Sequence, residues 1–176
     1  IAFEKMKKNE FNINSIKKKL KKIRLNELNN KNLLSSDIGI EASKISKNLK
    51  IRKMVDVIQK KYAYRPPKGY DGSCLDGRDI TYKIVPDADF KFFITADINV
   101  RAKRRYKELK KLNKNIKYSE ILQSIKKRDK SDFKRKHSPL KKTKDSVLIN
   151  TTNLTIQQTF KKIKKIIDSK YLKDIN

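Results

Sequence analysis

Tryptophan is absent from the 176 residues, and cysteine and histidine occur once each, as Cys74 and His137. An internal disulfide is thereby excluded, and so is a zinc site built on a Cys/His cluster. No Ser-His-Asp arrangement is evident. Cys74 falls in an apolar context and is expected to be buried and inert; His137 lies in a Lys-rich segment and is expected to be solvated. The glycines number four, Gly39, Gly69, Gly72 and Gly77, and are too scattered for a GxxxxGK[ST] phosphate loop. No run of about 18 apolar residues and no signal-peptide pattern occurs. A soluble cytoplasmic protein without membrane contact is expected.

Acidic residues are also scarce. Asp and Glu total 19 against 47 Lys and Arg, a net charge of +28. Such an excess predicts affinity for polyanions or phosphorylated ligands. It also fits a compositional bias, because Lys, Asn and Ile are over-used everywhere, including on plain solvated helix faces.

The apolar residues that are present fall into periodic patterns. Ile13, Ile16, Leu20 and Ile23 share one helical face. The segment 25–34 is ambiguous. Ser36 or Asp37 is placed to cap a helix carrying Ile38, Ala42, Ile45 and Leu49, and Ile51, Val55, Ile58 and Tyr62 define the next. The run Arg65-Pro66-Pro67-Lys68-Gly69-Tyr70-Asp71-Gly72 is a loop.

The centre of the chain is the stretch Cys74 to Asp97. It reads as a short strand at Cys74–Leu75, a charged turn Asp76-Gly77-Arg78-Asp79, an irregular Thr81–Asp89 segment, and a strand Phe90–Thr95. An apolar run ending in charged residues and a glycine suits a buried parallel strand that delivers side chains to a crevice.

Helices are then expected over Ile98–Leu112, with Ile98, Ala102, Tyr106 and Leu109 inward, and over Tyr118 to about Asp132, with Ile121, Leu122 and Ile125 inward. Pro139 ends helical character. Ser146–Asn150 is a third strand. Thr155-Ile156-Gln157-Gln158 matches a capping box and starts a helix with Ile156, Phe160, Ile163 and Ile167 on one face. Strands separated by helices argue for an α/β fold with a parallel sheet. Three strands make a thin sheet, and the chain begins at Ile1 without Met, so a fragment missing N-terminal strands is expected.

In a chain that uses Lys almost everywhere, the positions given to Arg stand out. They are Arg78, beside Asp79 at a strand end; Arg101, Arg104 and Arg105, side by side on one helix; and Arg128 and Arg135, flanking Asp132. The guanidinium fork binds phosphate or carboxylate bidentately, which Lys cannot do. Two readings stand together: anion binding at these points, or structural ion pairs with Asp79, Asp129 and Asp132.

These residues carry a resemblance. Leu75-Asp76-Gly77-Arg78-Asp79-Ile80, Val85-Pro86-Asp87-Ala88-Asp89, Lys91-Phe92-Phe93-Ile94, Arg101-Ala102-Lys103-Arg104-Arg105, Ile125-Lys126-Lys127-Arg128-Asp129, Ser138-Pro139-Leu140 and Asn150-Thr151-Thr152 occur in order. Together they resemble the bacterial cytidylate kinase family over roughly residues 38–167.

The resemblance implies a three-layer, P-loop-type nucleoside-monophosphate kinase fold with a central parallel sheet, here lacking the N-terminal strand and phosphate loop. One domain is implied: 1–62, helical core and monophosphate-binding insert; 63–97, central strands and nucleotide-contacting turn; 98–138, lid helices; and 139–176, closing strand and C-terminal helix. The implied reaction moves the γ-phosphoryl group of ATP to CMP or dCMP, with Mg2+, in a monomer. No nucleic-acid partner is implied, and the chain by itself is expected to be inactive.

The residues that match the family's contacts are Ser43 and Arg52 for cytosine, Arg78 for the phosphate and Asp79 for the base. Arg128 and Asp132 match the ribose contacts, and Arg135 a further phosphate contact. Arg101, Arg104 and Arg105 match the lid arginines that close on the transferring phosphoryl group. Asp76 is a candidate for a magnesium-bound water, or else structural. The sequence departs from the family at Thr81-Tyr82-Lys83, where Gly-Thr-Val is expected, at Ser131, which stands where another lid Arg is frequent, and in a longer Pro66–Gly72 loop. The rival readings are a basic RNA-binding or ribosome-associated module, and a monophosphate kinase for another base.

Overall fold

The computed structural model describes residues 13–23, 33, 36–46, 48–111 and 115–174. The chain divides into two compact units, Ile1–Leu75 and Asp76–Asn176. Residues 1–12 and most of segment 25–34 lie outside the described residues, and so does the ambiguous reading of that segment.

The first unit is helical. Helix α1 spans Ile13–Lys22, α2 Ser36–Ile45 and α3 Leu49–Tyr64. Periodic isoleucines drive it: Ile16, Ile38, Ile45 and Ile51 are buried together, with Leu20, Met54 and Val55 packed against them. Leu49 does not extend the α2 face as expected. Asn48 intervenes, accepting hydrogen bonds from the amides of Lys50 (3.0 Å) and Ile51 (3.3 Å). A side-chain acceptor at that place starts a new helix, so Leu49 becomes the first residue of α3 and is exposed. Helix α3 ends at Arg65, before two prolines that cannot continue it. The Tyr62 hydroxyl donates to Ile23 O at 3.3 Å, tying α3 to the end of α1.

The second unit is α/β. After the charged turn, residues Ile80–Ile84 form a single π-helical turn, closed by Ile84 N to Asp79 O (3.4 Å) and Val85 N to Ile80 O (2.8 Å). Strand β1 is Phe92–Thr95, α4 Ile98–Lys110, α5 Tyr118–Lys134, β2 Val147–Asn150 and α6 Ile156–Asp174. The strands pair in parallel, Phe92 opposite Val147 through Thr95 opposite Asn150. A parallel pair needs a long crossover, and here the α4–α5 hairpin provides it. Tyr106 and Tyr118 meet edge to face between those two helices, their centroids 6.0 Å apart. Ile84, Ala102 and Ile149 are fully buried, with Ile80, Leu109 and Ile121 nearly so.

Three expectations need correction. Cys74–Leu75 is not a strand, and the thiol is exposed. Two apolar residues between Gly72-Ser73 and Asp76-Gly77 are too few to hold a register. Among the described residues the sheet therefore has two strands. The irregular segment after the turn begins instead as the π-turn. On α6 the capping box forms as expected, Thr155 N to Gln158 Oε1 at 2.9 Å and Gln158 N to Thr155 Oγ1 at 3.1 Å. Ile156 and Phe160 are nevertheless exposed, and the apolar face is half-buried only from Ile163 onward. No described helix is long and apolar enough to cross a membrane.

A further tie links the strand starts. Lys91 Nζ donates to the carboxylate of Asp145 and to Pro86 O. The Lys91 hydrogen bond holds the Asp145 carboxyl down at about 2. A carboxyl lowered by folding contributes stability above its ordinary titration range, and that contribution is lost as pH falls through the folded value. Stability should therefore decline as pH drops from about 4 towards about 2. In Asp145→Asn, the urea midpoint should fall less over that window; an identical pH profile would show that the tie contributes nothing.

Candidate functional site

The charged turn and the end of α5 build one cluster inside the second unit. Arg78 Nε donates to Asp132 Oδ2 at 2.8 Å, and Arg135 Nη1 reaches Asp132 Oδ1 at 3.4 Å. Arg128 Nε stands 3.9 Å from Asp132 Oδ2, and its side chain is 62% exposed. Asp132 itself is buried. A buried carboxylate is tolerable only when paired and hydrogen-bonded, and here two arginines do so directly.

The spacing has a simple origin. Arg128 and Asp132 are one turn apart on α5, which persists through Lys134; Arg135 is its C-cap, in extended conformation. The helix end thus turns Arg135 back onto Asp132. Three guanidinium charges around one carboxylate leave two positive charges in surplus.

Asp79 is buried one residue beyond Arg78, and Lys83 Nζ lies 3.9 Å from its Oδ2, one turn further along. The turn depends on Gly77. A Cβ there would sit 2.8 Å from Ile80 Cγ1, closer than side chains approach, and Ile80 is buried. Wide π-type turns are frequent at functional sites.

The arginines of α4 lie apart in their bonding. Arg101 grips Asp129 with both terminal nitrogens, at 3.1 and 2.8 Å, and its Nε donates to Ala96 O at 3.0 Å. Arg104 reaches the segment after β2, donating to Thr151 O (2.6 Å), Leu154 O (3.0 Å), Thr152 O (3.5 Å) and Thr151 Oγ1 (3.2 Å). Arg105 pairs with Glu108 at 2.7 Å. In the first unit, Ser43 lies in α2, and Arg52 in α3 donates from Nε to Ser46 O at 3.1 Å.

Of the candidates read from sequence, Arg78, Arg128, Asp132 and Arg135 therefore meet at one point, with Asp79 adjacent in the chain. The ion-pair reading has its instances too, Arg101 with Asp129 and both Arg78 and Arg135 with Asp132. Arg104 fits neither reading, because its partners are chiefly main-chain carbonyls, which leave no mark in a sequence.

With this geometry, comparison with known proteins is decisive: the sequence profile described as Cytidylate kinase matches residues 3–169. The chain belongs to the cytidylate kinase family. It is 42% identical over 148 residues to a cytidylate kinase of Bartonella bacilliformis, covering 84% of this chain and 67% of that protein. Identity to the cytidylate kinase of Clostridium tetani is 43% over 141 residues, covering 80% and 58%. For that of Thermosipho melanesiensis it is 41% over 134 residues, covering 76% and 59%. The chain thus spans about three fifths to two thirds of the length of the curated relatives it matches. Membership agrees with the α/β fold, its parallel sheet and its mostly helical content.

A kinase of this family implies ATP as co-substrate. Magnesium was expected at Asp76. Among the described residues no group of three or more His, Cys, Asp or Glu could hold a metal ion, and Asp76 is one exposed carboxylate. These residues do not by themselves form a magnesium site, although Mg2+ commonly arrives on nucleotide phosphates with only one or two protein carboxylates.

The Arg104 contacts predict a stability role. Arg104→Ala should cost about 2–3 kcal/mol in urea unfolding, since hydrogen bonds from a charged donor are lost and strand-end carbonyls are left without it. Arg105→Ala, which removes an exposed i,i+3 pair, should cost under about 0.5 kcal/mol. Equal effects would remove the distinction between them.

Proposed function

We propose that the protein transfers the γ-phosphoryl group of ATP to CMP or dCMP, giving CDP or dCDP, as a cytoplasmic monomer. The residues described here supply its monophosphate-binding side. The observation that carries this reading is the surplus of two positive charges at Arg78, Arg128, Arg135 and Asp132. A phosphate monoester bears about −1.5 to −2 at neutral pH, so the cluster matches it in charge.

In this reading Arg78 and Arg135 are held ready by Asp132, and Arg128, the most exposed of the three, has donors to turn to the nucleotide. The Asp132 oxygens already take Arg78 and Arg135. Each carboxylate oxygen accepts more than one bond, so capacity remains for a ribose hydroxyl. Asp79 accepts from the exocyclic amino group of cytosine, a donor that uracil lacks. Uracil would set a carbonyl oxygen against that carboxylate, acceptor to acceptor, and a site built to take a donor rejects such an analogue strongly. Ser43 and Arg52 are the positions that match the family's other cytosine contacts.

Phosphoryl transfer is mostly positioning and charge neutralisation. On this side of the reaction, the chain's work is to orient the acceptor phosphate. Arg101 and Arg105 are the lid candidates; Arg104 retains that assignment only if it releases the 151–154 carbonyls. Asp76, in the charged turn, would be the exposed carboxylate there were Mg2+ to arrive with the nucleotide, whose phosphate charge the ion would help neutralise. No GxxxxGK[ST] occurs in the 176 residues, so the chain by itself should not turn over ATP.

Calorimetry with CMP, dCMP, UMP and AMP tests the reading. CMP or dCMP should bind at least about tenfold more tightly than UMP; a preference for UMP or AMP would sink the Asp79 assignment. Arg128→Ala should weaken CMP about tenfold or more. Its thermal midpoint should hardly move, because an exposed pair at long distance adds little to stability. A large loss of stability with unchanged CMP affinity would make Arg128 structural. Incubation of the chain with labelled ATP and CMP should yield no CDP.

A further inference from the structure

Tyr82, in the middle of the π-turn, has no part in the account above. Its hydroxyl donates to Pro139 O, and its ring lies under Lys141 Nζ at 4.4 Å from the centroid. Pro139 follows Ser138, whose φ of 54° is left-handed. Few non-glycine residues adopt that conformation, and it persists where surrounding contacts enforce it. Two contacts are local: Arg135 Nε donates to Ser138 O, and Leu140 N donates to Asp132 O at 2.7 Å. The Tyr82 bond comes from a segment more than fifty residues away in sequence. The turn and the end of α5 are thus joined twice, by Arg78–Asp132 and by Tyr82–Pro139.

We propose that Tyr82 is a positioning residue for the acceptor phosphate. It holds the Pro139 carbonyl, and with it the left-handed Ser138, so that the Ser138 carbonyl stays on Arg135 Nε. The Arg135 guanidinium is thereby fixed beside Asp132 before a ligand arrives, which lowers the cost of binding. The role in phosphate binding rests on the monophosphate reading above; the strap itself does not.

Tyr82→Phe keeps the ring and its contact with Lys141 and removes only the donor. In the 176-residue chain, exchange of the Leu140 amide should accelerate about fivefold or more, reflecting one lost hydrogen bond. CMP affinity should fall about five- to tenfold by the same reasoning, whereas cytidine, which lacks the phosphate, should bind as before. Unchanged Leu140 exchange would overturn the strap. Unchanged CMP affinity, or an equal loss for CMP and cytidine, would overturn the positioning role. If the unsubstituted chain binds no CMP, the monophosphate reading falls and the positioning role with it. Leu140 exchange would still decide whether the strap exists.

Discussion

The second unit depends at its charged end on one carboxylate. Asp132 is buried and takes a guanidinium on each oxygen, Arg78 from the turn and Arg135 from its own helix end. Removing one partner of a buried pair costs about 3–5 kcal/mol, because the other charge is left uncompensated in a poor solvent for it. The turn and the helix are therefore joined by an interaction that neither can abandon cheaply. Around this carboxylate, Arg135 caps the helix in extended conformation, Ser138 is left-handed, and the Pro139 carbonyl takes the Tyr82 hydroxyl.

The sheet has a different kind of support. Its two strands are short, and their ends are secured by side chains from elsewhere. Lys91 bonds Asp145 where the pair begins, and Arg104 gathers the carbonyls of Thr151, Thr152 and Leu154 where it ends. Asp97 closes the same end. Its carboxylate caps α4 through the amides of Asn99 and Val100, and its own amide donates to Thr152 Oγ1. The strand exit, the start of α4 and the segment leading to α6 are thus one hydrogen-bonded assembly.

Much of this was legible in the sequence. The isoleucine spacing of α1 to α3, the inward residues Ala102, Leu109 and Ile121, and the Thr155–Gln158 box are local patterns, and local patterns survive folding. The preference for Arg at 128 and 135, flanking Asp132, also marked a cluster, whereas the junction of Arg78 with Asp132 is a long-range contact that the spacing did not report. The failures share a cause as well. Cys74–Leu75 looked like a strand on apolarity alone, but a strand exists only through a partner, and none of the local signals reports one. Leu49 had the right spacing for α2, yet the Asn48 cap overrode it. Arg104 looked like its neighbours, and only its carbonyl partners set it apart. Tyr82 stood out only as part of the Thr81-Tyr82-Lys83 departure; its role did not, because a tyrosine that bonds a distant main chain looks like any other.

The contrast between arginine and lysine has a consequence in ionic strength. Lys126, Lys127, Lys130 and Lys134 are exposed along α5. Their field extends only as far as the counter-ions allow, about 3 Å in 1 M salt. The Arg78–Asp132 contact, at 2.8 Å on a buried carboxylate, lies inside that distance and is shielded by protein. Added salt therefore strips away the general attraction of a highly basic surface for any polyanion while leaving the arginine cluster in place. The net charge governs what approaches the molecule in dilute buffer; the geometry around Asp132 governs what stays when the buffer is concentrated.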